Sequence, residues 1–219
     1  MFRILGAESF KRPVWIAAYS AITYVVAMIL ILFVPLALKR KKAKKTEIKD
    51  LRNDIGLKDL PTWTDIGLAP VGFIVSLILA ALLVSLFGLI FPWFNAEEAQ
   101  NLGFSTYDTG ANRIIAFFTL IVIAPIAEEI IFRGFLYGKL RERLSEKVSE
   151  KIGILIATFL TSLFFGIAHL QWNVGVNVFA LSLVLCALRE ITGSIYAGIL
   201  THMIKNGVAF YLLYVVGVV

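Results

Sequence analysis

The chain has 219 residues, 59% hydrophobic and only 16% charged, with a mean hydropathy of +0.84, which excludes an ordinary soluble globular domain. The net charge of +6 is carried in local clusters, and a single cysteine, Cys186, excludes an intrachain disulfide framework. The sequence reads as an integral membrane protein whose residues 1–219 form a single membrane domain.

The N-terminal stretch "MFRILGAESFKRPVW" leads into a long apolar run with no short apolar core ending at a small-residue cleavage site. It is expected to be an uncleaved anchor. Crossing a hydrocarbon layer of about 30 Å takes roughly 20 apolar residues at about 1.5 Å each. On that measure the spans are expected at 14–38, 67–91, 113–137, 152–171, 174–188 and 193–217. The fold class expected is all-α, a multi-pass transmembrane helical bundle of about six membrane-embedded helices. The fifth span, "VGVNVFALSLVLCAL", is short, and either tilts little or sits partly inside the protein. Residues 39–65, "KRKKAKKTEIKDLRNDIGLKDLPTWTD", form a charged loop, read either as carrying a short surface helix or as a solvated connection that only fixes topology.

Lysine and arginine orient the chain. Residues 39–45 are all basic except Ala43, and 133–151 carries Arg133, Lys139, Arg141, Arg143, Lys147 and Lys151. By contrast 92–112 has Glu97, Glu98 and Asp108 and no basic residue. The positive-inside rule places the first two regions in the cytoplasm and the third outside, although Arg3, Lys11 and Arg12 pull the N-terminus the other way. Because the basic clusters flank spans, their partner is expected to be anionic lipid and not nucleic acid.

Within this apolar setting, "IVIAPIAEEIIFRGFLYGKL" places two carboxylates and an arginine in a span. An ionisable group at mid-membrane depth costs roughly 2.5–3.5 kcal/mol on insertion scales, so such groups face a protein interior or a watery cavity. Of all the carboxylates only Glu128 and Glu129 lie well inside an expected span, and the only histidines, His169 and His202, also lie in apolar segments. Singly, each has a plain alternative: a membrane histidine can be an interhelical donor, and Glu129 with Arg133 can be a structural ion pair. Spacing sharpens the case, since helical residues four apart share a face while adjacent ones diverge by about 100°. Glu129 and Arg133 should therefore pair, leaving Glu128 to face a cavity. Phe165 with His169, and His202 with Asn206, repeat the four-residue step.

Three motifs stand in order: "EEIIFR" (Glu128, Glu129, Arg133), "FGIAH" (Phe165, His169) and "HMIKN" (His202, Asn206). Together they resemble the type II CAAX prenyl endopeptidase family of multi-pass membrane proteases, also called CPBP or Abi proteins, over about 113–210. The resemblance implies an intramembrane endopeptidase of a prokaryotic cell membrane, acting on a membrane-tethered peptide or protein through a glutamate-activated water. It implies Glu128 as general base, His169 as a holder of the water, and His202 with Asn206 as oxyanion donors. Glu129 and Arg133 would position the first motif helix, and Phe165 would pack beside the site.

Other hydrolytic chemistries lack their signatures, since no HExxH and no G-x-S-x-G occurs. A zinc site of Glu128, His169 and His202 stays open, because two histidines with one carboxylate is a catalytic zinc set. The expectation is no cofactor, with zinc as the alternative. Two further function classes share these residues: an ion-conducting transporter, and a catalytically silent immunity or scaffold protein of the same fold. Depth poses a question. Counted along the expected spans, Glu128 and His202 sit about 14 Å from their cytoplasmic ends, whereas His169 sits about 26 Å from its own.

Overall fold

The computed structural model describes residues 19, 22–24, 26, 29, 53–57, 60–98 and 110–217. The described residues are helical with no strand, so the protein is an all-α membrane bundle. Among the described residues four helices are long and apolar enough to cross a membrane: Trp63–Ile90, Arg113–Ser145, Glu150–Ile167 and Trp172–Thr192. We call α1 Trp63–Ile90, α2 the continuous helix 110–145, α3 Glu150–Ile167, α4 Trp172–Thr192 and α5 Tyr196–Tyr211, which runs on as a π turn, Leu212–Val216. The expected span 14–38 lies outside the described residues except for Tyr19, Val26, Ile29 and 22–24.

Local chemistry sets the helix ends. Thr62 and Asp65 form a reciprocal capping box at the start of α1, and Pro92 follows its last turn, where proline disfavours helix in the residue before it. The left-handed C-cap of α4 falls on Gly193, at φ 66°.

The short fifth span proves to be the central helix. α4 packs against α1, α3 and α5, and 56% of its most apolar window is buried, against 11% for α1. Leu181, Val184, Leu185 and Leu188 of α4 form its main core with Ala197 of α5. A Cβ on Gly166 of α3 would lie 2.8 Å from the Gly175 carbonyl oxygen of α4. Only glycine permits that approach, the usual device where helices have no water to drive them together.

The helix that carries the expected span 113–137 runs on past it through "GKLRERLS" to Ser145, because Lys, Arg, Leu and Glu favour helix whether or not lipid surrounds them. The described part of loop 39–65 is not simply solvated. Ile55 is buried, the Ile195 amide donates to the Gly56 carbonyl at 3.1 Å, and Arg189 donates to the Asp54 carbonyl at 3.1 Å.

The extension of α2 resolves the depth question. Ile55 touches Gly134 and sits level with Ile195, so these residues mark one layer. From that layer Glu128 and His202 each lie about six residues, or about 9 Å, into the bundle. The α2–α3 hairpin projects beyond the layer by roughly 16 Å at Ser145. His169, about 28 Å from Glu150, is thereby carried to nearly the same level.

Candidate active site

The doublet sits in an irregular part of α2. Its α-helical piece Ala124–Glu129 is flanked by π-helical stretches, Phe118–Ile123 and Ile130–Tyr137. Pro125 accounts for the first, since a proline ring collides with the carbonyl four residues back and a widened turn relieves that collision. The Ala124 amide accordingly donates five residues back, to Thr119. In this register the Leu120 carbonyl would be served by residue 125, which as proline has no N–H. Asn206 of α5 takes its place, with Nδ2 donating to the Leu120 carbonyl at 2.8 Å.

Glu129 and Arg133 are both fully buried, with Arg133 Nη1 2.8 Å from Glu129 Oε1. The same oxygen lies 3.2 Å from Nδ1 of His202. A Cβ on Gly198 would come within 3.0 Å of Glu129 Oε2, so that glycine keeps room for the carboxylate. The other His202 nitrogen, Nε2, lies 3.7 Å from Glu128 Oε2. The two glutamates diverge as expected and straddle one imidazole, each addressing a different nitrogen. Glu128 is also not free to face a cavity alone, because the Tyr24 hydroxyl donates to its Oε1 at 2.5 Å.

Phe165 is the hub of the cluster, and it is completely buried. The Arg133 guanidinium carbon stands 4.4 Å from its ring centroid, a cation–π contact. His169 and His202 meet the same ring edge-on, at centroid distances of 5.0 and 5.9 Å.

His169 is not inside a helix, as the four-residue spacing suggested. α3 ends at Ile167, and His169 lies in the tightened turn that follows, its amide donating to the Gly166 carbonyl at 3.2 Å. Its ring still reaches back, with Nδ1 2.8 Å from the Phe165 carbonyl oxygen. A carbonyl can only accept, so Nδ1 carries the proton and Nε2 of the neutral ring is an acceptor. The next residue, Leu170, holds φ at 56°, a left-handed conformation that is uncommon for leucine and clusters at functional sites.

Two participants escaped the sequence reading. Lys205 interacts electrostatically with both Glu128 and His169. Its signal was present as a lysine in an otherwise apolar span, within the quoted "HMIKN". Tyr24 carried no signal, since one tyrosine in an apolar run resembles any other. As for a cofactor, no group of three His, Cys, Asp or Glu side chains that could hold a metal is gathered among the described residues.

Residues 110–208 match the family described as Rce1-like, type II CAAX prenyl endopeptidase Rce1-like. No curated protein and no solved structure matches the chain. The matched stretch opens with the first residue of α2, closes within α5 and takes in all three motifs, so that over these residues the chain is similar to the Rce1-like type II CAAX prenyl endopeptidases.

Proposed function

We propose that this protein is an intramembrane endopeptidase that hydrolyses a peptide bond of a membrane-associated substrate, of the prenylated CAAX type, with a water activated by Glu128. The observation that carries this reading is the pairing of both glutamates with His202, at 3.2 and 3.7 Å, while Arg133 neutralises only Glu129.

The chemistry follows from which atoms remain available. Oε1 of Glu128 is taken by Tyr24, leaving Oε2 to accept a proton from water. A water about 2.8 Å from both Oε2 and His202 Nε2 spans their separation, and His169 Nε2 is a further acceptor. The water attacks the carbonyl carbon as one of its protons passes to Glu128. A donor at Nε2 requires a proton on that nitrogen, which the ring can carry there while Nδ1 stays beside Glu129. That Nε2–H and the second amide hydrogen of Asn206 stabilise the oxyanion, a contribution typically of a few kcal/mol to the barrier. As the C–N bond breaks, Glu128 returns the proton to the leaving amine. No cofactor is required by this scheme. The partners are membrane lipid and a membrane-tethered peptide, with no nucleic acid.

The test is hydrolysis of lipid-anchored fluorogenic peptides, prenylated and unprenylated, by the purified chain in lipid vesicles, with Glu128→Gln alongside. Equal turnover by Glu128→Gln would sink the assignment. Cleavage of the unprenylated peptide at the same rate would remove the prenyl group from the substrate description.

A further inference from the structure

Glu128 has a partner that lies far from the family-matched region. Among the described residues of the first span, Tyr19, Ile22, Thr23, Val26 and Ile29 are exposed, whereas Tyr24 is half-buried. Of these described residues Tyr24 alone turns inward, where its hydroxyl donates to Glu128 Oε1 at 2.5 Å across 104 positions of sequence.

The consequence is geometric. The torsion that swings a glutamate carboxyl group is broad and roughly two-fold, so an unrestrained Glu128 would exchange its oxygens. A phenol has a single O–H, and a hydrogen bond to a charged acceptor is short and directional. With Oε1 committed to Tyr24, Oε2 is the oxygen left facing His202 Nε2, at 3.7 Å. Lys205 interacts with the same carboxylate, but an ammonium is a point charge on a flexible stem and cannot choose between two oxygens.

We propose that Tyr24 is a positioning residue for Glu128, so that a residue of the first span takes part in the active site. The proposal rests on reading Glu128 as the base. A bond that merely pins the span would affect stability, whereas a positioning bond affects turnover.

The test uses the full chain in lipid vesicles. Tyr24→Phe keeps the ring and removes the hydroxyl. Its kcat should fall about 10- to 100-fold, the loss expected for one hydrogen bond to a charged group, with KM and the melting midpoint nearly unchanged. Tyr24→Leu should melt lower but turn over no more slowly than Tyr24→Phe. Independently of substrate, 3-fluorotyrosine placed at position 24 should show a fluorine resonance that moves with Glu128→Gln and stays put with Glu97→Gln, a change at an exposed residue. Unchanged kcat in Tyr24→Phe, while Glu128→Gln is inactive, overturns the positioning role and leaves the base standing. An unmoved fluorine resonance overturns the contact itself. Full activity in Glu128→Gln removes the base, and this proposal with it.

Discussion

Asn206 donates its amide to the Leu120 carbonyl at 2.8 Å, a carbonyl left without its helical partner because residue 125 is proline. The pair joins α5 to α2 just above the glutamate doublet, so a motif residue expected only to face a reacting group also supports the backbone that carries the base. An orphaned buried acceptor costs about 1–3 kcal/mol. Asn206→Ala should therefore lower unfolding free energy by that amount besides slowing hydrolysis. Pro125→Ala supplies the missing N–H, so the double variant should lose less stability than the sum of the single changes, as contacting sites do. Chemical unfolding in detergent measures this, and strict additivity would refute the proline argument.

The two glutamates should separate in experiment although they are adjacent in sequence. Glu128→Gln is expected to abolish hydrolysis with little change in melting. Glu129→Gln leaves the fully buried Arg133 without its counter-charge, and losing one partner of such a pair costs about 3–5 kcal/mol. Melting midpoints and turnover on the same preparations decide it, and equal stability of the two variants would count against this division.

Phe165 should behave as more than filler. Phe165→Leu roughly conserves apolar bulk but removes the face beneath Arg133 and the edge contacts to both histidines. The cation–π part alone amounts to about 0.5–2 kcal/mol. Turnover is expected to fall more than stability, because both imidazoles lose their common wall; a variant with normal kcat would show that the ring only fills space.

Lys205→Met should slow turnover by removing the cation that interacts with Glu128, and Lys205→Arg should restore part of the rate. If Lys205→Met matched the parent chain in kcat/KM, the lysine would have no part in the reaction.

Chelation separates glutamate chemistry from metal chemistry. Exhaustive chelator treatment should leave hydrolysis intact, with no stoichiometric zinc in active protein. Zinc that tracks activity through removal and reconstitution would replace the mechanism with one in which Glu128, His169 and His202 hold the ion.

What could be read from the chain follows from short-range physics. Runs of about 20 apolar residues must be helical in lipid, because no water is present to satisfy open backbone groups. Helical periodicity is equally local, so the Glu129–Arg133 pair was legible from its four-residue step. The structure alone decided the rest. Hydropathy marks where lipid ends and not where a helix ends, so the extension of α2 to Ser145 was invisible to it, and with it the common depth of Glu128, His169 and His202. The doublet itself lies in regular α-helix, and its two diverging carboxylates reach one imidazole because His202 of α5 stands between them. Tyr24 with Glu128 and Asn206 with Leu120 join residues 104 and 86 positions apart. Such partners are chosen by how whole helices pack, because a buried polar group bonds with whatever the neighbouring helix presents at its own depth and angle.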